Sequence, residues 1–203
     1  MSETALLSHK YLQQTFTIQL DQSDCGVACL LSLIQYYGGS NSLEKLRELS
    51  GTTKQGTTLL GLYQAANQLG FSALGNEADL QAVIDHKEPL ILHVVMEVRL
   101  QHYVVCYGFD RDKFIVGDPA KGITTYTKEE LESVWKSKTC LTLTPNDNFV
   151  RTKTQSKNKK QWFLKLLKED YRLISFSVLL GLAISILGMA MAIFSQKLID
   201  NIL

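Results

Sequence analysis

The sequence predicts an α+β fold followed by a membrane-spanning helix, and three observations predict it. Helix signals fill the first half of the body and strand signals its second half. Of the 20 acidic residues, 17 lie before residue 151. The 22 residues 173–194 carry no charge at all. Helices and strands that are segregated, not alternating, mark an antiparallel sheet with helices packed on it.

Asp24 is placed to cap a helix over 25–37, and Gly38-Gly39 stops it. Asn41-x-x-Glu44 caps a second helix to Leu49. Thr57 or Thr58 opens a third, with Leu59, Leu62, Ala66 and Leu69 on one face and Gly70 as its stop. Residues 78–84 form a fourth. Strands follow as a meander at 90–95, 102–109, 113–117, 123–126 and 139–144. Thr127-x-x-Glu130 is a capping box for a short helix between the last two. The polar stretch before Gln19 is given no element.

Charge divides the chain. Residues 1–150 hold 12 Lys+Arg against 17 Asp+Glu, and residues 151–203 hold 9 against 3. An acidic body has no basic face to neutralise phosphates, so nucleic acid is excluded as a partner. The charge-free run spans about 33 Å, enough for a bilayer core. Ahead of it come Arg151, Lys153, Lys157, Lys159, Lys160, Lys165, Lys168 and Arg172, opposed only by Glu169 and Asp170. The positive-inside rule then puts the body on the cytoplasmic side of the inner (cytoplasmic) membrane. Residues 146–160 read as a basic linker. Residues 161–172, with Trp162, Phe163, Leu164, Leu166 and Leu167 among lysines, read as an interfacial amphipathic helix. Residues 173–194 are the transmembrane helix, where Gly181 and Ser185 have the spacing of helix-packing positions. One span followed by nine more residues reads as the start of a larger membrane domain.

Four cysteines, at 25, 29, 106 and 140, are too few for a disulfide scaffold, and no secretory signal opens the chain. Cys25 is the one that asks for chemistry. At the first turn of a helix it faces unsatisfied N–H groups and the positive dipole end, both of which favour a thiolate. Gly26 beside it is expected to let a substrate backbone approach. Cys29, one turn on, reads as core, not as a metal ligand, because no Cys/His set of metal-binding spacing accompanies it. Cys106 reads as packing, and Asp21 and Asp24 as capping or solvated.

A thiol nucleophile wants an imidazole and a group to orient it. The histidines are His9, His86, His93 and His102. His102 opens one strand and Asp118 ends the next, with Asp110-Arg111-Asp112 as the turn between. If the hairpin is centred on Asp110, paired residue numbers sum to 220 and His102 faces Asp118; centred on Arg111, the sum is 222 and they are diagonal neighbours. Either way they share a face, within reach of each other.

Asp24-Cys25-Gly26-x-Ala28 after an upstream glutamine, then His102-Tyr-Val-Val, then Gly117-Asp118-Pro119 resemble the peptidase domain of bacteriocin-processing ABC transporters. The resemblance covers about residues 15–145, and residues 1–145 are read as that domain. It implies a papain-like cysteine peptidase that removes a leader from a precursor peptide after a double glycine, coupled to export. Carried over, Cys25 is the nucleophile, His102 the base and acid, Asp118 its orienting partner and Gln19 the oxyanion-hole donor; Gln22 is the competing glutamine. The resemblance implies no cofactor in this chain. With no G-x-x-x-x-G-K-[ST] in the sequence, ATP belongs to a nucleotide-binding domain outside it. The chain is then a piece of a longer exporter, homodimeric when complete. The rival readings are a non-catalytic leader-docking domain, whose mark would be loss of the cysteine, and another papain-like thiol hydrolase.

Overall fold

The structure, a computed structural model, describes residues 9–96, 100–152 and 170–202. The chain forms two compact units, Met1–Thr154 and Gln155–Leu203.

In the first unit, helices α1 (His9–Thr15), α2 (Cys25–Tyr36), α3 (Leu43–Ser50) and α4 (Leu59–Gln68) come first. Then follow β1 (Phe71–Glu77), α5 (Leu80–Asp85), β2 (Leu90–Met96), β3 (Leu100–Asp110), β4 (Lys113–Asp118), β5 (Gly122–Tyr126), α6 (Lys128–Val134) and β6 (Thr139–Pro145). The strands make one sheet in the order β1-β6-β2-β3-β4-β5, every pair antiparallel. Only β2 to β5 are the expected meander; β6 returns to lie between β1 and β2.

The helix order follows from the sequence. α2 has no charged residue and is buried on nearly every side, as a helix apolar all round must be. It ends at Gly38, whose φ of +84° takes the left-handed turn, while Gly39 N donates to Ile34 O at 2.8 Å. Ser42, not Asn41, caps α3, and Asn41 instead receives the Ser42 N–H. Thr58 caps α4, Asp79 caps α5, and the Thr127/Glu130 capping box opens α6 as expected.

Both faces of the sheet are covered. Ile91, Tyr103, Val105, Tyr107, Leu141 and Leu143 pack with α2 and its neighbours. Leu92, Val94, Val104, Cys106, Val116 and Cys140 pack with Val83, Leu131 and Trp135 on the other side. This is why the centres of β2 and β3 are mostly apolar on both faces. Burying each such side chain is worth about 1.5–3 kcal/mol. Two elements are additional to the sequence reading. β1 is an edge strand that buries only Phe71 and is defined by its pairing with β6. α1 buries only Leu12 and is tied down by Tyr11 Oη donating to Tyr36 O at 2.6 Å.

Next to its turn the β3–β4 hairpin departs from both expected registers, and beyond a bulge it takes the second of them. Its turn residues are Arg111 and Asp112, with φ of 48° and 61°, a two-residue turn that matches strand twist. Next to the turn, pairs such as Asp110↔Lys113 and Phe109↔Phe114 sum to 223. An unbroken ladder in that register would put Asp118 on the opposite face from His102. A β-bulge between Cys106 and Gly108 takes up one residue, and beyond it Cys106↔Val116 and Val105↔Gly117 sum to 222. Continued, this places Asp118 opposite Val104 and diagonal to His102.

In the second unit, α7 (Tyr171–Ile202) extends past 173–194 at both ends. Its best 18-residue window has a mean hydropathy of 2.4 with none of it buried, so it is long and apolar enough to cross a membrane. The hydroxyls of Ser177 and Ser185 donate to the carbonyls of Leu173 and Gly181, both at 2.9 Å, keeping those polar groups inside the helix. The expected interfacial helix over 161–172 lies, up to residue 169, outside the described residues.

Candidate active site

Cys25 is the first residue of α2 and is 5% exposed. The first N–H groups of a helix have no partner within it, so this end offers hydrogen-bond donors and positive potential. The segment leading to it is anchored in steps. Phe16 packs where Gly117 leaves room, since a Cβ there would collide with the Phe16 ring. Thr17 N donates to Ser32 Oγ on α2 at 2.9 Å. Gln19 N donates to Pro119 O at 2.9 Å, next to Asp118. Gln19 is therefore carried to the site. Its amide oxygen is buried and has no hydrogen-bond partner among the described residues. Gln22 is exposed in the short 3-10 turn Gln22–Asp24.

The other arm is built on strands. His102 Nε2 and Asp118 Oδ1 are 2.8 Å apart, with both residues buried. Asp118 is acceptor-only when ionised, so Nε2 carries the proton and Nδ1 is the nitrogen left for a thiol. Asp118 Oδ1 also accepts Ala120 N at 2.9 Å. Burial works against charging this carboxyl, but the His102 and Ala120 hydrogen bonds and the charges of His102 and Lys121 outweigh it and hold its pKa below the usual value. Burial likewise opposes charging of His102. The hydrogen bonds and negative charges of Asp118 and Cys25 overcome it, and the imidazole is pushed up to about 9. The pair is thus suited to hold an imidazolium beside the Cys25 sulfur at neutral pH.

Cys25, His102, Asp118 and the backbone of Gln19 come together at one end of the sheet. The other histidines do not join them: His9 is exposed at the start of α1, His86 follows α5, and His93 stacks near Tyr103 with ring centroids 5.1 Å apart. Cys29 is fully buried and donates to Tyr103 O at 3.3 Å; burial raises its pKa well above the ordinary thiol range. Cys106 lies in the core, its thiol pushed up by burial to about 12. Among the described residues no cluster of three or more His, Cys, Asp or Glu is arranged to hold a metal.

Two local expectations change. Gly26 does not open space beside the sulfur for a substrate. A Cβ there would press on Leu62, Thr57 and Tyr103 at 3.2–3.3 Å, so the glycine serves packing of α2 on α4 and β3. Asp24 neither caps α2 nor meets solvent. It is fully buried and paired side-on with Arg47, Nε to Oδ1 at 2.8 Å and Nη2 to Oδ2 at 2.7 Å. Arg47 escaped the sequence reading because no local pattern links residues 23 apart. A cleft of about 510 Å³ lies alongside, lined among others by Gly56, Thr57, Gln101 and Tyr103.

A family model described as the peptidase C39 family matches residues 13–148. The chain belongs to the peptidase C39 family. It is a cysteine peptidase. Among relatives of this C39 domain, the transport/processing ATP-binding protein ComA of Streptococcus pneumoniae is 34% identical over 196 residues, covering 95% of this chain and 27% of ComA. The pediocin PA-1 transport/processing ATP-binding protein PedD of Pediococcus acidilactici is 33% identical over 199 residues, covering 96% and 27%. The chain thus spans about a quarter of the length of the curated relatives it matches. The crystal structure of the peptidase domain of Streptococcus ComA, a bifunctional ABC transporter involved in quorum sensing, superposes with a TM-score of 0.60. It is 41% identical and covers 64% of this chain and 97% of that one. A double-glycine-motif protease from an AMS/PCAT transporter, solved in complex with the leader peptide, gives a TM-score of 0.59 at 28% identity, covering 64% and 89%. The C39 match over residues 13–148 and these structures agree with the expected papain-like architecture.

Proposed function

We propose that this chain removes the leader from a precursor peptide by cutting after a double glycine, as the peptidase part of an ABC-type peptide exporter. The observation that carries the reading is the meeting of Cys25, at the mouth of a helix, with the His102–Asp118 pair. The Cys25 thiolate attacks the carbonyl carbon of the second glycine. The oxyanion that forms is met by the Gln19 amide N–H₂ and the helix end at Cys25, one such donor being worth about 10²–10³ in rate. The C–N bond then breaks as His102 gives its proton to the departing amine of the mature peptide. His102 next takes a proton from water, which attacks the thioester and frees the leader as its carboxylate. Asp118 fixes the ring so that Nδ1 meets the sulfur and the leaving nitrogen in turn.

The cleft beside Thr57 and Tyr103 is where the glycines enter. Leu60 and Tyr63, one turn apart on α4 and exposed, are candidates for gripping an amphipathic leader helix. The basic residues before α7 support insertion in the cytoplasmic membrane with the peptidase on the cytoplasmic side. The nucleotide-binding domain of the exporter, and ATP with it, lie outside this chain, and the complete exporter is a homodimer.

The test incubates the full chain in detergent micelles with leader peptides carrying Gly-Gly, Gly-Ala or Ala-Ala before the cut and reads products by mass spectrometry. Cleavage after Gly-Gly alone, absent in Cys25→Ala, is expected. Binding without cleavage by the unaltered chain would move it to the docking class.

A further inference from the structure

The reaction above leaves one buried charge unexplained. Asp24, the residue before Cys25, has no exposed surface, and its carboxylate is held by three donors. These are Arg47 Nε at 2.8 Å, Arg47 Nη2 at 2.7 Å and the backbone N–H of Asp21 at 3.1 Å. Asp21 in turn accepts Gln22 N at 2.7 Å, and its side chain also meets the Asp24 backbone N–H, which with the Asp21 N–H to Asp24 carboxylate bond makes a capping box around the turn. We propose that the Asp24–Arg47 pair is a positioning clamp for the oxyanion side of the active site. The proposal rests on the roles given to Gln19 and the helix end at Cys25.

The segment between those two groups is fixed from both directions. Upstream, Thr17 is tied to Ser32 and Gln19 to Pro119. Downstream, the turn is tied to α3 through the Arg47 side chain. A side-on guanidinium–carboxylate pair fixes orientation as well as distance, which a lysine cannot copy. Asp24 is buried while the Arg47 side chain stays 33% exposed, and burying a carboxylate in such a pair is costly and a poor device for stability alone. It is a good device for setting the geometry of a turn. The groups that raise His102 most are Asp118 and Cys25. On this proposal the clamp acts on geometry and leaves the acid–base pair alone.

This separation supplies the test, made on the full chain in detergent micelles with Arg47→Met, Arg47→Lys, Asp24→Asn and the double variant Asp24→Asn/Arg47→Met. Each is assayed three ways: cleavage of the Gly-Gly leader peptide, alkylation of Cys25 by iodoacetamide located by mass spectrometry, and amide hydrogen exchange over residues 20–25. Alkylation forms no tetrahedral oxyanion, so it reads the thiol without the clamp. For Arg47→Met, kcat falls about tenfold or more, part of what an oxyanion donor is worth. KM stays within about threefold, as for an interaction made only in the transition state. Alkylation stays within about twofold, the alkaline limb of the pH profile does not move, and exchange at 20–25 quickens about tenfold through local opening. Arg47→Lys recovers part of kcat. The double variant, free of an unpaired buried charge, regains thermal stability without regaining kcat.

Equal losses of cleavage and alkylation, no loss of either, or unchanged exchange would each overturn the clamp. If Arg47→Met does not fold, Arg47→Lys and Asp24→Asn carry the same comparison. An unaltered chain that fails to cut the peptide would strike the peptidase reading. The exchange measurement, which needs no substrate, would still decide on the clamp.

Discussion

The two arms of the candidate active site are held by different physics. His102 and Asp118 sit on neighbouring strands, and their meeting is a matter of ladder register. Cys25 and Gln19 flank an irregular turn, and their meeting depends on single contacts to Ser32, Pro119 and Arg47. Strand register is redundant: many backbone bonds must fail before a side chain changes face. A turn pinned at a few points is vulnerable to one substitution. Substitutions in the strand arm should therefore alter acid–base behaviour, and those in the turn arm should alter transition-state stabilisation.

The largest effect tests the junction of the arms. Cys25→Ala is expected to abolish cleavage, and His102→Ala to cost about 10²–10⁴ in kcat, the usual range for a positioned acid–base group. Circular dichroism close to that of the unaltered chain would show that chemistry, not folding, is lost. Next comes the contrast of the two glutamines. Gln19→Ala should lower kcat by about 10²–10³ with little change in KM, while Gln22→Ala, on an exposed side chain, should change neither. Equal losses would erase the distinction between the anchored and the solvated glutamine.

Acid–base behaviour sharpens the strand arm. His102 in the folded chain binds its proton more tightly than an ordinary imidazole, with a pKa of about 9 against 6.5. Activity that needs the imidazolium should fall as pH rises through about 9. The stability this proton brings is complete below pH 6.5 and lost as pH rises through about 9. Asp118→Asn removes the negative partner, so the alkaline limb of kcat/KM should move down toward the ordinary imidazole range. An unmoved limb would mean that Asp118 only packs. The smallest effect concerns Gly117. Gly117→Ala should displace Phe16 and loosen the Gln19 segment, costing about 1–3 kcal/mol by overpacking. A modest fall in kcat should accompany it, measured by thermal melting and peptide cleavage together.

The same contrast governs how much could be read before the structure. The strand arm was legible because parity along a strand is a strong rule. The face shared by His102 and Asp118 was right, and so was the 222 register beside them, although a two-residue turn and a bulge at Tyr107 together produce it in place of a simple hairpin centred on Arg111. Nothing local in Cys106-Tyr107-Gly108 announces a bulge beyond the glycine. Cys25 was legible from its place at a helix start, whereas Gln19 stood out from Gln22 only through family resemblance. Arg47 was invisible, because its partner is 23 residues away and its own helix reads as an ordinary surface element. β1 was missed for a related reason. Phe71 to Glu77 shows no alternation, and its pairing with β6 alone makes it a strand.

The most direct measurement is to trap the covalent intermediate. The full chain is mixed with a Gly-Gly leader peptide, quenched in acid within the first turnover, digested and searched by mass spectrometry for the leader acyl group. A thioester on Cys25 ending in the second glycine, absent from Cys25→Ala, is the result this account predicts. Cleavage that proceeds with Cys25 unmodified, and that survives Cys25→Ala, would contradict it.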